Sequence, residues 1–431
     1  DDEQSDQTLT KKTQAVPFTG SDFSHGATKV VKGLQDAGFS AYVVGGAVRD
    51  LLLGQRPKDF DVATNATPEQ IKQCFRSARI VGRRFQIVHV RSGGEIIEVT
   101  TFRGNHAVAQ SGQDSKASES GRLLRDNVYG TLDEDALRRD LTINALYYDT
   151  SSNTLIDQLN GAADIQARMI RVIGVPEERY REDPVRMLRV LRFSARLQFD
   201  LAADTEAAIA ETRLMLSDIP SARLFDEWLK LFMNGFSAPT FTLLKHHELI
   251  ALLMGDGIAE TLYGEQSATL QMRAMSNTDQ RVADRRPVTP AFLLAALYWP
   301  AVEKLASSLE NGGEPTTQAI HSAGQQVVHS ACQHLTIPKR FSLAMRDIWD
   351  LQPRLERMQP KKITDLLARR WFRAAFDLRL LREEAGNLGR QCSDFWTAQQ
   401  KEHPDLVGSA RPRRDDQPKR RRRPRGNVRA P

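Results

Sequence analysis

Strand signals, runs of alternating hydrophobicity, are confined to the first 160 residues of this chain and nearly vanish after Asn160. From about Asp164 to Gln400 the apolar positions recur at helical spacing, punctuated by turns at GVPEE, SDIPSAR, NGGEP and TIPKR. Strands are thus gathered in one short stretch and helices in one long stretch. They predict an α+β protein. The expected layout is a small mixed α/β head over residues 27–163, a helical neck over 164–240 and a helical body over 241–400. Residues 1–26 are polar and acidic and are expected to be disordered, as is the arginine-rich stretch 401–431. No internal repeat is visible.

The net charge of +6 is unevenly placed. Residues 411–431 hold nine arginines, one lysine and two aspartates, a local +8 that leaves the other 410 residues at −2. Such a block reads as a solvated tail that binds polyanions, with Arg420, Arg421, Arg422 and Arg423 as its densest run. A solubility or protein-docking segment is the other reading. No apolar run approaches the roughly 20 residues of a membrane helix, and DDEQSDQTLT lacks the basic and apolar regions of a signal peptide. Cys74, Cys332 and Cys392 lie far apart with no CxxC pair, which excludes a disulfide scaffold and a cysteine zinc site and fits a reducing cytoplasm.

Within the head, ATKVVKGLQDAG predicts a helix ending at Gly38, FSAYVVGG a strand entering a glycine pair, and AVRDLLLG a helix closed by Gly54. Thr67, Pro68 and Gln70 form an N-cap, an N1 proline and a capping-box partner. RFQIVHV and EIIEVTTFR read as strands joined by a hairpin-like turn at RSGG. Residues 104–121, rich in serine and glycine, predict a long mobile loop.

Two motifs carry chemistry. KDFDV at 58–62 reads as a strand, on which Asp59 and Asp61 face one way and Phe60 the other. Paired carboxylates repel each other, a cost that a divalent cation relieves, and Mg²⁺ favours one or two carboxylates with waters and phosphates. An exposed acidic turn is the plain alternative. Upstream, Gly45 and Gly46 stand between a strand and a helix start, where backbone N–H groups approach phosphates closely, and Arg49 follows one turn later. Tight packing accounts for a glycine pair equally well. The spacing of the two motifs, 13 residues with a helix between, can bring both to one edge of a sheet.

This combination resembles the nucleotidyltransferase superfamily, in particular the class II family of tRNA CCA-adding enzymes and bacterial poly(A) polymerases, over roughly residues 27–400. The family's GG-x-VRD and DxD are matched by Gly45, Gly46, Val48, Arg49, Asp50, Asp59 and Asp61. Its RRD-F-T-I-N-A segment is matched by Arg138, Arg139, Asp140, Thr142, Ile143, Asn144 and Ala145, with Leu141 in place of the usual Phe. Its ED-x-x-R helix is matched by Glu182, Asp183, Arg186, Met187, Leu188 and Arg189, and its R-x-x-x-E helix by Arg223 and Glu227.

The resemblance implies that Asp59 and Asp61 hold metals (Mg²⁺ or Mn²⁺) that activate a 3′-hydroxyl and bind the incoming triphosphate. It implies Asp140 as the third catalytic carboxylate, ahead of Glu98 on EIIEV, and Arg139 beside the nucleotide. YREDPVRMLRVLRFSARL reads as a helix with its first turn at Glu182-Asp183-Pro184, and Asp183, Arg186 and Arg189 are expected at the nucleotide, the first two reading its base. Arg192 and Arg196 read as a solvated or RNA-backbone face, and Arg223 with Glu227 as either a surface ion pair or a brace for the reading helix. His89 reads as a sheet-face histidine, and RRWFRAAFDL as helical core with a basic flank.

IVGRRFQIVHV, the C-terminal IPKRFSLAMRDIW and FRAAFDLRLLR, and the arginine-rich tail resemble the poly(A) polymerase branch. That branch implies transfer of AMP from ATP to RNA 3′ ends with release of pyrophosphate, with RNA-degradation or RNA-chaperone proteins as candidate partners. CCA addition to tRNA and an inactive RNA-binding protein are the two rival functions; intact Asp59, Asp61 and Asp140 argue against the latter.

Overall fold

Ser24 accepts a hydrogen bond from the Ala27 N–H and so starts helix α1, His25–Asp36, which stops before Gly38. The computed structural model describes residues 12–14, 16–82, 86–104, 129–386 and 388–409. They fall into two compact units, Asp1–Arg213 and Leu214–Pro431.

The first unit is built on an eight-stranded sheet: β1 (Lys12–Gln14), β2 (Ala41–Val44), β3 (Asp61–Thr64), β4 (Ala78–Val81), β5 (Ile87–Ser92), β6 (Glu95–Thr101), β7 (Leu146–Asp149) and β8 (Thr154–Asp157). The order across the sheet is β1-β8-β7-β2-β3-β6-β5-β4, and β3 with β6 is the parallel pair in it. Helix α1 packs on β2, β3, β5 and β6. Helix α2 (Gly46–Leu52) leads from β2 toward β3, and α3 (Pro68–Cys74) follows β3 with the predicted Thr67–Gln70 capping box in place. The β5–β6 hairpin turns at Gly93 and Gly94, both at positive φ, where a side chain would be strained.

Helix α4 (Leu132–Leu137), capped by Thr131, covers part of the opposite face, where Val44, Ala63, Phe102, Ala136, Tyr147 and Ile156 form a buried cluster. Then come α5 (Gly161–Gln166), the short strand β9 (Met169–Ile170), α6 (Pro176–Glu182), α7 (Val185–Leu197), β10 (Asp200–Leu201) and α8 (Ala203–Thr212). β9 and β10 pair in parallel, a small departure from the helical reading of this stretch.

The second unit is helical among the described residues. It comprises α9 (Ser221–Phe232), α10 (Ser237–His246), α11 (Ile250–Met254), α12 (Asp256–Ala259), α13 (Glu265–Ala283), α14 (Pro290–Asn311), α15 (Thr316–His334), α16 (Lys339–Glu356), α17 (Ile363–Ala368), α18 (Phe372–Ala385) and α19 (Gln391–Glu402). Its core holds the fully buried Trp228, Trp299, Trp349 and Trp396. The indole N–H groups of Trp349 and Trp396 donate to the carbonyls of Ala295 and Leu355, which offsets the cost of burying a donor, whereas those of Trp228 and Trp299 find no partner among the described residues. Phe372 and Phe376 of α18 are buried, with Arg370 lying over the Trp371 ring and Arg373 over that of Phe376. No helix among the described residues is long and apolar enough to cross a membrane.

Several expectations need correcting. Residues 16–26 are ordered, because Phe18 and Phe23 bury their rings against Tyr148, with centroids 5.1 and 4.8 Å away. Lys12–Gln14 add a strand at the β8 edge. The strand expected over KDFDV begins only at Asp61, so Asp59 lies in the segment leading into it. Residues 401–409 continue the body, through the end of α19 and a 3₁₀ turn at Pro404–Leu406. Residues 1–11, Arg83 and Arg84, the loop from 105 to 128 and the tail from 410, with Arg420–Arg423, lie outside the described residues.

Candidate active site

One row of directly paired residues crosses all eight strands: Arg79 on β4, then His89, Glu98, Asp61, Val44, Tyr147, Ile156 and Thr13 on β1. Paired residues share a face, so the row marks where that face changes character. From Val44 to Ile156 it is apolar and buried, and from Asp61 outward to Arg79 it is ionisable and uncovered. Asp61 stands at the border.

Asp59 and Asp61 are both exposed, and Glu98 lies beside Asp61 through the parallel β3–β6 register. Desolvation by the surrounding protein pushes the Asp61 carboxyl up to about 6; the Glu98 and Asp59 carboxylates push the same way and Arg139 opposes them. Asp59, Asp61 and Glu98 are hard oxygen donors of the kind a divalent cation takes, and their mutual repulsion is the sort a cation relieves, although the three carboxylates do not all lie within 4.8 Å of one another. Glu98 also meets His89, with Nε2 3.5 Å from Oε1.

The cradle forms next to this group. Gly45 adopts φ +75° and ψ −125°, a conformation that glycine reaches without strain, and its N–H donates to the Leu146 carbonyl. A β-carbon there would stand 3.7 Å from Nη1 of Arg139, so the glycine keeps the approach to that guanidinium open. Arg139 is anchored from behind. It donates through Nε to the Tyr147 hydroxyl at 2.9 Å and through Nη2 to Asp135 at 3.0 Å, and it lies over the Tyr147 ring.

Asp135 is the hub of that anchor. Only 1% exposed, it also accepts from Arg138 at 2.7 Å, from the Tyr147 hydroxyl at 2.7 Å and from the Arg103 N–H at 3.2 Å. Burial alone would raise its pKa; the Arg139 and Arg138 guanidiniums and the Tyr147 hydroxyl outweigh that and hold it below the carboxylate range. Desolvation pulls Arg139 down, but the Tyr147 and Asp135 oxygens hold it above its ordinary value, so its charge is fixed.

Arg49 and Asp140 are placed differently from the expectation. Arg49 is buried beneath the cradle: it donates to Asp50 at 2.6 and 2.9 Å and to Asn144 at 2.7 Å, and stacks on Phe193. Asp140 accepts from Arg189 Nε at 2.7 Å and from the Leu141 N–H at 2.9 Å, with Asn144 at 3.4 Å. Burial would raise it; Arg189 and these hydrogen bonds hold it below the usual range. The β3–β6 register thus sets Glu98 beside Asp61, while Asp140 pairs with Arg189 of α7.

Family models match along the chain: a Poly A polymerase head domain over residues 41–171, a probable RNA and SrmB-binding site of polymerase A over 198–257, and a polymerase A arginine-rich C-terminus over 312–427. Poly(A) polymerase I of Salmonella typhimurium is 43% identical over 95% of this chain and 90% of its own length. The chain belongs to the poly(A) polymerase family. The CCA-adding enzyme of Lactobacillus helveticus is 39% identical over 52% of this chain and 53% of its own length. Among solved structures, the CCA-adding enzyme of Bacillus stearothermophilus in complex with CTP superposes with a TM-score of 0.59 at 27% identity, covering 89% of this chain and 83% of that one.

In this member of the poly(A) polymerase family the helix expected to take its first turn at Glu182-Asp183-Pro184 starts at Val185, directly after a separate helix. Glu182 ends α6, Asp183 takes φ −151° and ψ 95°, and Pro184 precedes α7, since a residue before proline is pushed out of the helical region. Arg186 pairs with Glu182, at 2.6 Å, and with the Arg179 carbonyl, both through Nη1. Arg179 in turn donates to the carbonyls of Arg138 and Arg139, joining α6 to the RRD segment. In the second unit, Glu227 is buried and accepts from Lys230 at 2.7 Å.

Sequence reasoning missed Asp135, Tyr147 and Arg179. Asp135 did leave a signal, standing three and four residues before Arg138 and Arg139 on one helix face.

The Asp140–Arg189 pair predicts a pH signature. Because Asp140 is depressed in the fold, its pairing stabilises the protein above the ordinary carboxylate pKa and the benefit is lost as pH falls through the lower folded value. Arg189→Met should cost about 1–3 kcal/mol near pH 7, less than a fully buried pair because Arg189 is 35% exposed. Thermal melts of both proteins from pH 3 to 8 should converge at the acid end; a difference independent of pH would refute this role.

Proposed function

We propose that the chain transfers AMP from ATP to the 3′-hydroxyl of RNA and releases pyrophosphate, acting as a poly(A) polymerase that promotes RNA turnover. The observation that carries this reading is similarity to a poly(A) polymerase over nearly the whole chain, whereas the CCA-adding relative matches about half of it. Asp59, Asp61 and Glu98 would hold Mg²⁺ or Mn²⁺. A divalent cation bound there supplies charge neutralisation at the attacking and leaving oxygens.

The chain's own groups do the rest. Arg139, fixed by Asp135 and Tyr147, presents its Nη1 side at the opening left by Gly45 and Gly46 and neutralises the triphosphate. The cost of orienting that guanidinium is met in the folded protein, before the nucleotide arrives. Arg49 and the Asp140–Arg189 pair hold the floor of the cradle and the α7 helix in place. Asp183 and Arg186 read the base, with Glu182 and the Arg179 carbonyl fixing the plane of the Arg186 guanidinium. The 3′-hydroxyl attacks the α-phosphate in line, so catalysis rests on positioning and charge neutralisation. Arg420–Arg423 would add sequence-independent affinity for the RNA backbone. We place the protein in the cytoplasm, where Cys74, Cys332 and Cys392 remain free thiols, with RNA-degradation or RNA-chaperone proteins as partners.

The test supplies ATP or CTP separately to the purified protein, with a generic RNA primer and with a tRNA lacking its CCA end. Long adenylate tails on the generic primer are expected. Efficient CTP incorporation on the tRNA would replace this reading with CCA addition, and RNA binding without incorporation would replace it with a binding protein.

A further inference from the structure

Beyond Glu98 the uncovered face continues to the free edge of the sheet as a groove of about 490 Å³ over β4, β5 and the start of β6. Arg76, Arg79 and Arg91 rim it, His89 lies at its inner side, and Val81 and Ile96 stand in it, 44% and 55% exposed. No carboxylate lines it among the described residues. The three arginines are exposed, and none forms an ion pair with another described residue. Several other arginines of this unit are matched to acids, among them Arg138, Arg139, Arg171, Arg186 and Arg189. Three unmatched cations around two exposed aliphatic side chains form a surface for an anionic chain with apolar parts.

The paired row gives the groove its direction. Arg79 is three strands from Asp61, about 14 Å at a strand spacing of ~4.8 Å. That length is longer than a single triphosphate and takes in more than one phosphodiester of a single strand. We propose that this groove binds the phosphodiester backbone of the RNA primer just upstream of its 3′ end and so delivers the terminal hydroxyl to Asp59 and Asp61. Arg76, Arg79 and Arg91 contact phosphates, and Val81 and Ile96 provide a dry surface for ribose and base. The carboxylates at the inner end repel RNA, and the basic groove next to them offsets that repulsion along the path. The proposal rests on the polymerase reading above.

The test uses the full chain with Arg76→Gln, Arg79→Gln and Arg91→Gln combined. All three residues are exposed, so the melting temperature should match that of the parent. Fluorescence anisotropy with a fifteen-nucleotide oligoadenylate, without ATP, should show a Kd at least about tenfold higher, and the slope of log Kd against log salt should fall by about 2, at ~0.7 per contact. The primer KM should rise in parallel, while kcat at saturating primer, the ATP KM and extension of a dinucleotide primer stay unchanged. Lysine at the same three positions should restore binding. An unchanged Kd and salt slope would overturn the proposal. A raised ATP KM with primer affinity intact would overturn it too, assigning the groove to the nucleotide's phosphates. If the parent itself adds no adenylate, the polymerase reading fails, and the binding comparison still reports on the groove.

Discussion

Asp59→Ala or Asp61→Ala is expected to lower adenylate incorporation by ~10³-fold or more, equivalent to about 4 kcal/mol of transition-state stabilisation, while RNA affinity stays within about twofold. Both effects follow from position. Asp61 opens β3 at the border of the uncovered face, with Asp59 two residues before it and Glu98 alongside. None of the three is a cation that RNA would contact. Incorporation assays and filter binding on the same preparations read the two quantities separately, and activity within tenfold of the parent would remove these residues from the reaction. Asp61→Asn carries a second expectation. The folded pKa of Asp61 is about 6 against an ordinary value of 3.8, so the folded state binds this proton more tightly than the unfolded chain. Stability is therefore lost as pH rises from about 4 to about 6. The Asn variant should melt higher than the parent above pH 6 and equal to it below pH 4. A site that is less stable than its inactive replacement is what function predicts.

Asp135→Asn is expected to cost about 3–5 kcal/mol, because it leaves Arg138 and Arg139 facing an amide whose NH₂ group competes as a donor. For a unit of this size that corresponds to a fall in melting temperature of about 6–20 °C. At a temperature where the variant is still folded, the ATP KM should rise more than the primer KM, since Arg139 loses the partner that holds it beside Gly45. A Tyr147→Phe change, which removes a second bond to the same guanidinium, should cost less in the Asp135→Asn background than alone, the sign of a shared network. Wild-type stability and KM in Asp135→Asn would overturn the account of Asp135 as the anchor.

What was legible in the sequence was mostly local. The Thr67–Pro68–Gln70 cap and the RSGG hairpin form as read because each is decided by a few adjacent residues. The acidic pair and the glycine pair were recognisable for the same reason. The assignment of Glu98 beside Asp61 was not, because it depends on a parallel pairing between strands 37 positions apart. Polar composition concealed residues 16–26, since two phenylalanines among hydrophilic neighbours give no periodic signal, yet Phe18 and Phe23 find Tyr148 in the fold. Arg49 read as a phosphate ligand from its place one turn into α2; its burial beside Asp50, Asn144 and Phe193 needs the strand, the RRD segment and α7 together.

The paired row that crosses the sheet also bears on folding fidelity. A slip of one residue in β3 would turn Asp61 inward and bring Val62, which is fully buried in the native register, out to solvent. Sinking a carboxylate among apolar side chains costs several kcal/mol, comparable with the whole stability of a domain. The sheet therefore reaches a low free energy only in the alignment that also assembles the site.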